Sequence, residues 1–420
     1  MLKELIKKVA PSFLIDWYHF LLSFSGAVIY QFPSYKLKVI GVTGTNGKST
    51  VVELTSKILE NAGYKVASLS SIRFKIIEKE WLNDLKMTMP GRFQLQKFLR
   101  KAVNSSCQYA VLEVTSEGIK QYRHKFIDFN AAVFTNLTPE HIEVHGGFEN
   151  YRVAKGKLFQ TTKNIHIINL DDENSNYFLQ FPAENKFGFT ILWENKEEIA
   201  TIGARNIQAL ENGLRFSVNN TEFNLKLLGD FNIYNALAAI CVGLSQGISL
   251  EICKLALEKV EGIPGRMEEV ISEPFKVFVD YAFTPNALEK VYQTIRDNYN
   301  LTKMICVLGA AGGGRDKWKR PILGELAGKY CQEIIVTNED PYNEDPLEII
   351  RQVAKSTGGK AKEILDRREA IRESLKIVQS GDVIIITGKG CEPWMCVKGG
   401  KKIPWDDRKI IREELERLKQ

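Results

Sequence analysis

The sequence predicts an α/β protein: a parallel sheet carrying a phosphate-loop turn, a second Rossmann-like α/β unit behind it, and a short helix ahead of both. Three observations carry that expectation. An apolar run at 37–40 meets Gly41-Val42-Thr43-Gly44-Thr45-Asn46-Gly47-Lys48-Ser49-Thr50, and a helical pattern starts behind it at Val51; this is the strand, glycine turn and helix of a nucleotide-binding unit. Strand-like and helix-like stretches then alternate along most of the chain, the rhythm of a parallel sheet covered by helices. Gly262-Ile263-Pro264-Gly265 breaks that rhythm once, and it resumes beyond.

A chain of 420 residues exceeds what one core usually supports. The expected units are an amino-terminal apolar helical segment at 1–36, a central nucleotide-binding domain at 37–264 and a second α/β domain at 265–420. Hydrophobic content of 44% with 26% charged residues suits a globular protein with a sizeable core. A net charge of +6 with no basic block interleaved with aromatics excludes nucleic acid as the expected partner and suits anionic small molecules. Seven cysteines without a CxxC pair point away from zinc and toward a reducing, cytoplasmic setting.

Taken in order, residues 13–32 are apolar and aromatic, with Lys3, Lys7 and Lys8 ahead and Asp16 and His19 inside. The two interruptions argue against a secretory signal and against a membrane span. Two readings stay open, a helix packed on the protein and one lying in a membrane interface as a peripheral contact. Residues 65–69 read as a strand, 71–89 as a connection with room for a hairpin, 94–103 as a helix and 109–114 as a buried strand. Glu113, near the end of that strand, stands where ligands of such sheets gather; its plain alternative is a solvated strand-end charge. Strands follow at 131–135 and 165–170, with a dense polar run between Asn136 and His145. Short alternating segments at 185–228 suggest a β-rich edge, and 232–244 and 250–260 read as helices. Beyond the break, strands at 275–280, 304–308, 333–337 and 383–387 alternate with helices at 287–297, 321–330, 346–356 and 368–378.

The glycine turn has a definite chemistry. Bare backbone lets consecutive N–H groups and a helix N-terminus converge on a polyphosphate, Lys48 can reach the outer phosphates, and the Ser49 hydroxyl can ligate Mg²⁺. The strict spacing asks for a glycine where Val42 stands, so the match is partial.

Seven stretches in order resemble the Mur ligase family, and within it the UDP-N-acetylmuramoyl-tripeptide synthetases, over roughly residues 37–415. They are Gly44-Thr45-Asn46-Gly47-Lys48-Ser49, Glu113-Val114-Thr115-Ser116, Thr135-Asn136-Leu137-Thr138-Pro139-Glu140-His141, the run from Tyr151 to Phe159 around Lys155, Gly265-Arg266-Met267-Glu268, Asp280-Tyr281-Ala282-Phe283-Thr284-Pro285 and Thr387-Gly388-Lys389-Gly390. The resemblance implies joining a carboxylate to an amino acid amine with ATP cleaved to ADP, through an acyl phosphate, in peptidoglycan precursor synthesis. It implies ATP at Gly44, Thr45, Asn46, Gly47, Lys48, Ser49 and Thr50, one Mg²⁺ near Ser49 and Glu113, and a second near His141 and a carbamylated Lys155. Without the motif, His141 reads as a structural histidine. Arg266 resembles the arginine that reaches ATP phosphates, Asp280 the carboxylate that holds the ribose, and Asn232 and Asn235 the segment beside the adenine; Asn232 also reads as a helix N-cap. Thr88, Ser116 and Arg123 match acceptor-binding positions, and Arg315, Gly388 and Glu392 amino acid-binding positions.

Departures shape the expectation further. The family's Thr-Thr-Pro is here Thr88-Met89-Pro90, and histidines usual in the family are replaced by Glu117, Phe283 and Cys391. The diaminopimelate signature Asp-Asn-Pro-Arg falls on Glu339-Asp340-Pro341-Tyr342. An arginine there would pair bidentately with a distal carboxylate, which Tyr342 cannot do; with Glu339 and Asp340 adding negative charge, lysine or ornithine is expected over diaminopimelate. The first 36 residues leave no room for the family's uridine-binding domain, which makes a lipid-linked acceptor a further expectation if the first helix meets a membrane. The expected state is a monomer. Two alternatives stand beside this reading: a folylpolyglutamate synthetase-like ligase, disfavoured because that family carries Asp-Gly-Ala-His-Asn-Pro at 280–285, and a nucleotide-binding protein without catalysis, disfavoured by the joint presence of Lys48, Glu113, His141 and Lys155.

Overall fold

A computed structural model describes residues 11–85, 87–193 and 199–420; Lys3, Lys7 and Lys8 lie outside the described residues. The first helix, α1 (Ser12–Ile29), is followed by β1 (Lys38–Thr43), α2 (Lys48–Asn61), β2 (Val66–Leu69), β3 (Arg73–Ile76) and β4 (Lys79–Leu82). Next come α3 (Arg92–Asn104), β5 (Tyr109–Glu113), α4 (Ser116–Lys120), β6 (Phe129–Phe134), α5 (Ile142–His145), α6 (Phe148–Thr161), β7 (Ile165–Asn169), α7 (Ser175–Leu179), β8 (Asn185–Thr190) and β9 (Ala200–Gly203). These strands form a nine-stranded sheet ordered β4-β3-β2-β5-β1-β6-β7-β8-β9, parallel except for the hairpin β3–β4. The connection at 71–89 thus contains the expected hairpin.

β1 sits between β5 and β6, with Val42 opposite both Glu113 and Val133. The chain leaves β1 toward one edge and later returns on its other side, so the crevice at the carboxyl end of β1 is the topological switch point of the sheet. Near-continuous apolar strands are what burial on both faces demands. Val51, Leu54 and Ile58 of α2 pack on one face, and Leu95, Leu99, Leu158 and Phe159 on the other.

The β-rich edge at 185–228 divides in two. β8 and β9 extend the main sheet, whereas β10 (Arg205–Leu210), β11 (Gly213–Val218) and β12 (Thr221–Leu225) form a separate antiparallel sheet whose Phe216 and Phe223 stack 5.3 Å apart over the core. Helices α8 (Phe231–Ser245) and α9 (Leu250–Leu257) follow. Asn232 is not the N-cap of α8: Asp230 holds that position, and Asn232 lies inside the first turn, donating to Leu228 O at 2.7 Å. The helix behind the glycine turn starts three residues earlier than the apolar pattern suggests, because Lys48 and Ser49 already have helical backbone.

The second unit contains β13 (Glu268–Ile271), β14 (Lys276–Asp280), α10 (Pro285–Asn298), β15 (Met304–Leu308), α11 (Lys319–Tyr330), β16 (Glu333–Thr337), α12 (Pro346–Ala354), β17 (Ala361–Ile364), α13 (Arg367–Ile377), β18 (Val383–Thr387), the hairpin β19 (Trp394–Val397) and β20 (Lys401–Pro404), and α14 (Asp407–Leu418). Its six-stranded sheet runs β13-β14-β18-β15-β16-β17, antiparallel only at β13. Capping is local: Thr284 Oγ1 accepts from Ala287 N with Pro285 at the first helical position, and Asp366 caps α13 in the same manner.

α1 packs one side on α3, with Ser23 and Ala27 buried and Ser23 Oγ donating to Tyr122 O at 2.8 Å. Its other side exposes Phe13, Leu14, Trp17, Leu21 and Phe24, Trp17 by 60%. Among the described residues no helix is long and apolar enough to cross a membrane.

Candidate active site

The turn after β1 works only with glycines at two places. A Cβ on Gly44 (φ +150°) would lie 1.9 Å from Thr135 Oγ1, and one on Gly47 (φ +82°) 2.3 Å from Asn235 Oδ1. The loop after β6 grips the turn from below. Asn136 Oδ1 accepts from Asn46 N at 2.9 Å, Thr135 Oγ1 donates to Asn46 O at 2.7 Å, and Thr45 Oγ1 accepts from Thr138 N at 3.0 Å and lies 3.1 Å from the Tyr151 hydroxyl. The glycine turn is therefore preorganised by side chains of its own sheet.

At the mouth of the cradle Lys48 Nζ donates to Thr45 O at 2.7 Å and stands 3.8 Å from Glu113 Oε1. Burial, reinforced by Arg266 and opposed chiefly by Glu113, lowers its pKa. Ser49 Oγ donates to Glu113 Oε2 at 2.8 Å, and Ser71 N reaches the same oxygen at 2.9 Å. Lys155 is 1% exposed; its ammonium nitrogen donates to Gly44 O at 2.6 Å and lies 4.6 Å above the Tyr151 ring. Burial first, and Lys48 second, push its pKa well below the ordinary range against the pull of Glu113. His141 has left-handed backbone (φ +56°), and its Nδ1 is 3.8 Å from Glu117 Oε1. Burial and the cations Arg315, Lys319, Lys155 and Lys48 drive its pKa down to about 2, so the ring is a neutral imidazole.

The turn residues 44–49, Ser71, Glu113, His141, Tyr151 and Lys155 line one cavity of about 710 Å³, together with Thr50, Asn232, Asn235, Arg266, Asp280, Thr88, Ser116 and Arg315. Arg266 crosses from the second unit: its guanidinium lies 4.5 Å over the Tyr281 ring and reaches Ser71 Oγ at 3.5 Å. Asp280 accepts from Met267 N at 2.7 Å and Ala282 N at 2.6 Å, and burial raises its pKa. Asn235 donates to Asn232 Oδ1 at 2.8 Å, which fixes both beside Gly47.

A smaller cavity of about 140 Å³ adjoins the first and is lined by Thr88, Ser116, Arg123, Arg315, Glu339, Asp340, Tyr342, Gly388 and Glu392, every acceptor and amino acid position expected from the sequence. Arg123 is buried and held by Met89 O and by Gln121 Oε1 at 2.8 Å. The substituted Met89 packs where a Cβ on Gly118 would lie 2.4 Å from its sulfur. The acidic character expected of this wall needs correction. Lys389, fully buried, pairs with Asp340 Oδ1 at 3.0 Å and with Glu392, so the chain supplies its own counter-charge there. Glu339 differs: its Oε2 is buried without a hydrogen-bond partner, and burial, with Asp340 adding to it, raises its pKa.

The residues expected at the two Mg²⁺ sites differ in how they stand. Ser49 and Glu113 touch, and a hydroxyl with a carboxylate beside a phosphate cradle is a donor set for Mg²⁺. Lys155 as an amine is a donor rather than a ligand, and among the described residues no three or more His, Cys, Asp or Glu side chains are grouped to hold a metal. Ser71, Tyr151, Tyr281 and Lys389 belong to the site although the sequence reading gave them no role. Tyr151, Tyr281 and Lys389 lie inside the motifs named above; Ser71, in an irregular connection, leaves no local signal.

The profile of the Mur ligase middle domain matches residues 42–243, and that of the Mur ligase, glutamate ligase domain matches 265–390. A UDP-N-acetylmuramoyl-L-alanyl-D-glutamate–2,6-diaminopimelate ligase of Syntrophomonas wolfei is 38% identical over 403 residues, 94% of this chain and 81% of its own length. A UDP-N-acetylmuramyl-tripeptide synthetase of a Roseiflexus species is 36% identical over 420 residues, 93% and 81% of the two chains. A folylpolyglutamate synthase from Mycobacterium tuberculosis superposes with a TM-score of 0.72, covering 88% of this chain and 92% of that one, at 16% identity, a likeness of fold alone.

Proposed function

We propose that this chain, which belongs to the Mur ligase family and is an ATP-dependent, ADP-forming ligase, adds a free amino acid to the carboxylate of a muramoyl-peptide-like acceptor in peptidoglycan precursor synthesis. The observation that carries this reading is the continuity of the two cavities through Thr88, Ser116, His141 and Arg315. A carboxylate seated there faces ATP phosphates on one side and an incoming amine on the other. The units assigned to the two halves of the task are 37–264 for ATP and 265–420 for the amino acid.

In the proposed reaction an oxygen of the acceptor carboxylate attacks the γ-phosphorus of ATP, giving an acyl phosphate and ADP. The amine nitrogen then attacks the acyl carbon, the C–O bond breaks to release phosphate, and the proton lost from nitrogen leaves with the phosphate, giving the amide. Backbone N–H groups of 44–49 and the start of α2 bind the phosphates, with Lys48 at the outer ones and Arg266 closing from the second unit. Asp280 would meet the ribose, and Asn232 and Asn235 flank the adenine. Thr88, Ser116 and Arg123 hold the acceptor, and Arg315, Gly388 and Glu392 the amino acid. Ser49 and Glu113 fit one Mg²⁺, which when bound offsets phosphate charge. A second ion fits only with a changed Lys155: its depressed pKa favours the neutral amine, which combines with CO₂ to give a carbamate and a proton. That group would join the neutral ring of His141. A ¹³C resonance from labelled bicarbonate, present in the protein and absent in K155R, is the expected signature.

For the amino acid, Tyr342 in place of an arginine and the unpartnered, buried Glu339 support a side chain ending in an amine, whose charge would draw the Glu339 carboxyl into its ionised form. The likeness to the diaminopimelate ligase of Syntrophomonas wolfei supports diaminopimelate instead. Incubation of ATP and UDP-N-acetylmuramoyl dipeptide with lysine, ornithine or diaminopimelate, followed by ADP release and product mass, separates the two. The expected order has lysine or ornithine first; turnover with diaminopimelate alone would overturn it.

The remaining partners proposed are small molecules, with the chain a cytoplasmic monomer. The exposed apolar side of α1 and the lysines at 3, 7 and 8 support a peripheral contact with an anionic membrane surface. Co-flotation with vesicles containing phosphatidylglycerol, lost on W17S/F24S, is expected; flotation of both proteins alike, or of neither, counts against it.

A further inference from the structure

His141 is gripped from the other unit on both sides. Before it, Glu140 Oε1 accepts from Lys319 Nζ at 3.1 Å, an ion pair with both side chains almost wholly buried. After it, Asp316, 1% exposed, accepts from Ile142 N at 3.3 Å and Glu143 N at 3.1 Å, while Lys317 N donates to Glu143 Oε1 at 3.0 Å. α5 has only four residues and no side-chain cap of its own, so its first N–H groups find their acceptor in the second unit. The residue between these contacts has left-handed backbone, a conformation a histidine keeps only where its surroundings hold it.

We propose that residues 316–319 are a positioning device: seating the second unit on the first caps the turn at 142–145 and thereby sets His141 at the junction of the two cavities. Rebuilding the carboxylate-activating side of the site is in this way made conditional on the amino acid-binding unit being in place. The inference rests on the ligase reading for its purpose but not for its geometry. Asp316 lines neither cavity and acts through His141, whereas Lys319 also lines the smaller cavity. A glycine-rich loop, 312–314, leads into the device, and Arg315 beside it lines both cavities, so a ligand held by Arg315 would bear directly on the clamp.

The test measures His141 without needing turnover. With ATP and Mg²⁺ present, the rate at which diethyl pyrocarbonate modifies His141 is followed by mass spectrometry, the buried His124 and His166 serving as internal standards. D316A is expected to raise that rate by roughly 3- to 30-fold, the size of a lost helix cap, and D316N, whose amide oxygen still accepts one N–H, to restore most of the protection. D345A, which removes the cap of α12 without touching the first unit, is expected to leave it unchanged. In parallel, probes at K57C and K409C, on exposed faces of α2 and α14 in a chain whose native cysteines are all buried, should report a narrow distance distribution that broadens in D316A. If D316A does not fold, K319M replaces it with the same expectation. Unchanged His141 reactivity and unchanged distances in the variant, or an equal rise in D345A, would overturn the proposal. A ligase reading that failed would instead appear as no product from the unsubstituted protein while these two readouts still responded.

Discussion

The Cβ that Gly47 lacks would lie 2.3 Å from Asn235 Oδ1, and its φ of +82° strains any other residue, so G47A is expected to lose ATP binding by well over tenfold in a filter or fluorescence assay while the fold persists. Lys48 adds charge to that cradle, and K48M should reduce ADP release by about 100-fold or more with little change in melting temperature. His124 gives a prediction about pH. Its ring is buried with neither nitrogen partnered, and burial pushes its pKa down to about 3. The folded value lies below the unfolded one of about 6.5, so the unfolded chain binds the proton first as pH falls: stability is full above that value and erodes toward pH 3. Between pH 6.5 and 5 the loss is about 2 kcal/mol, and urea unfolding of H124Q should show a correspondingly flatter pH dependence. The residues whose place in the cavity is legible in the sequence are those in contiguous motifs, such as Lys48, Glu113 and Arg266. Ser71 and Asp316 are not legible there, because their roles arise from contacts with segments distant in sequence.

Elements with a clear period and a cap were legible, and those shaped by tertiary contact were not. β1, β5, β6 and the four inner strands of the second sheet read as apolar runs because both faces are buried. α6, which carries Lys155, has its apolar residues at helical spacing but also Gly156, where a Cβ would lie 2.6 Å from the Tyr177 hydroxyl; close packing, not propensity, keeps that residue in a helix. α14 is highly charged, yet it is fixed by Arg367 of α13, whose Nε and Nη2 donate to Asp407 at 2.9 and 2.8 Å with both side chains fully buried. D407A strands a buried guanidinium and is expected to cost about 3–5 kcal/mol in denaturant unfolding; an effect below about 1 kcal/mol would show the pair to be dispensable.

At the scale of the molecule, the alternation of patterns announced two parallel sheets and the break near 262–265, but not the way the units meet. Glu140 with Lys319, and Arg266 with Ser71, join segments far apart in the chain. The expected negative charge of Asp340 is corrected for the same reason, because Lys389 pairs with it only once the chain is folded, whereas Glu339 Oε2 stays without a hydrogen-bond partner. The account depends on a carboxylate activated at the junction of the cavities, and oxygen transfer tests that directly. With the acceptor carboxylate of UDP-N-acetylmuramoyl dipeptide labelled with ¹⁸O, and ATP and lysine or diaminopimelate supplied, each phosphate released should carry one labelled oxygen. Phosphate formed at the same rate without label would mean that water takes the γ-phosphoryl group, and would contradict the account.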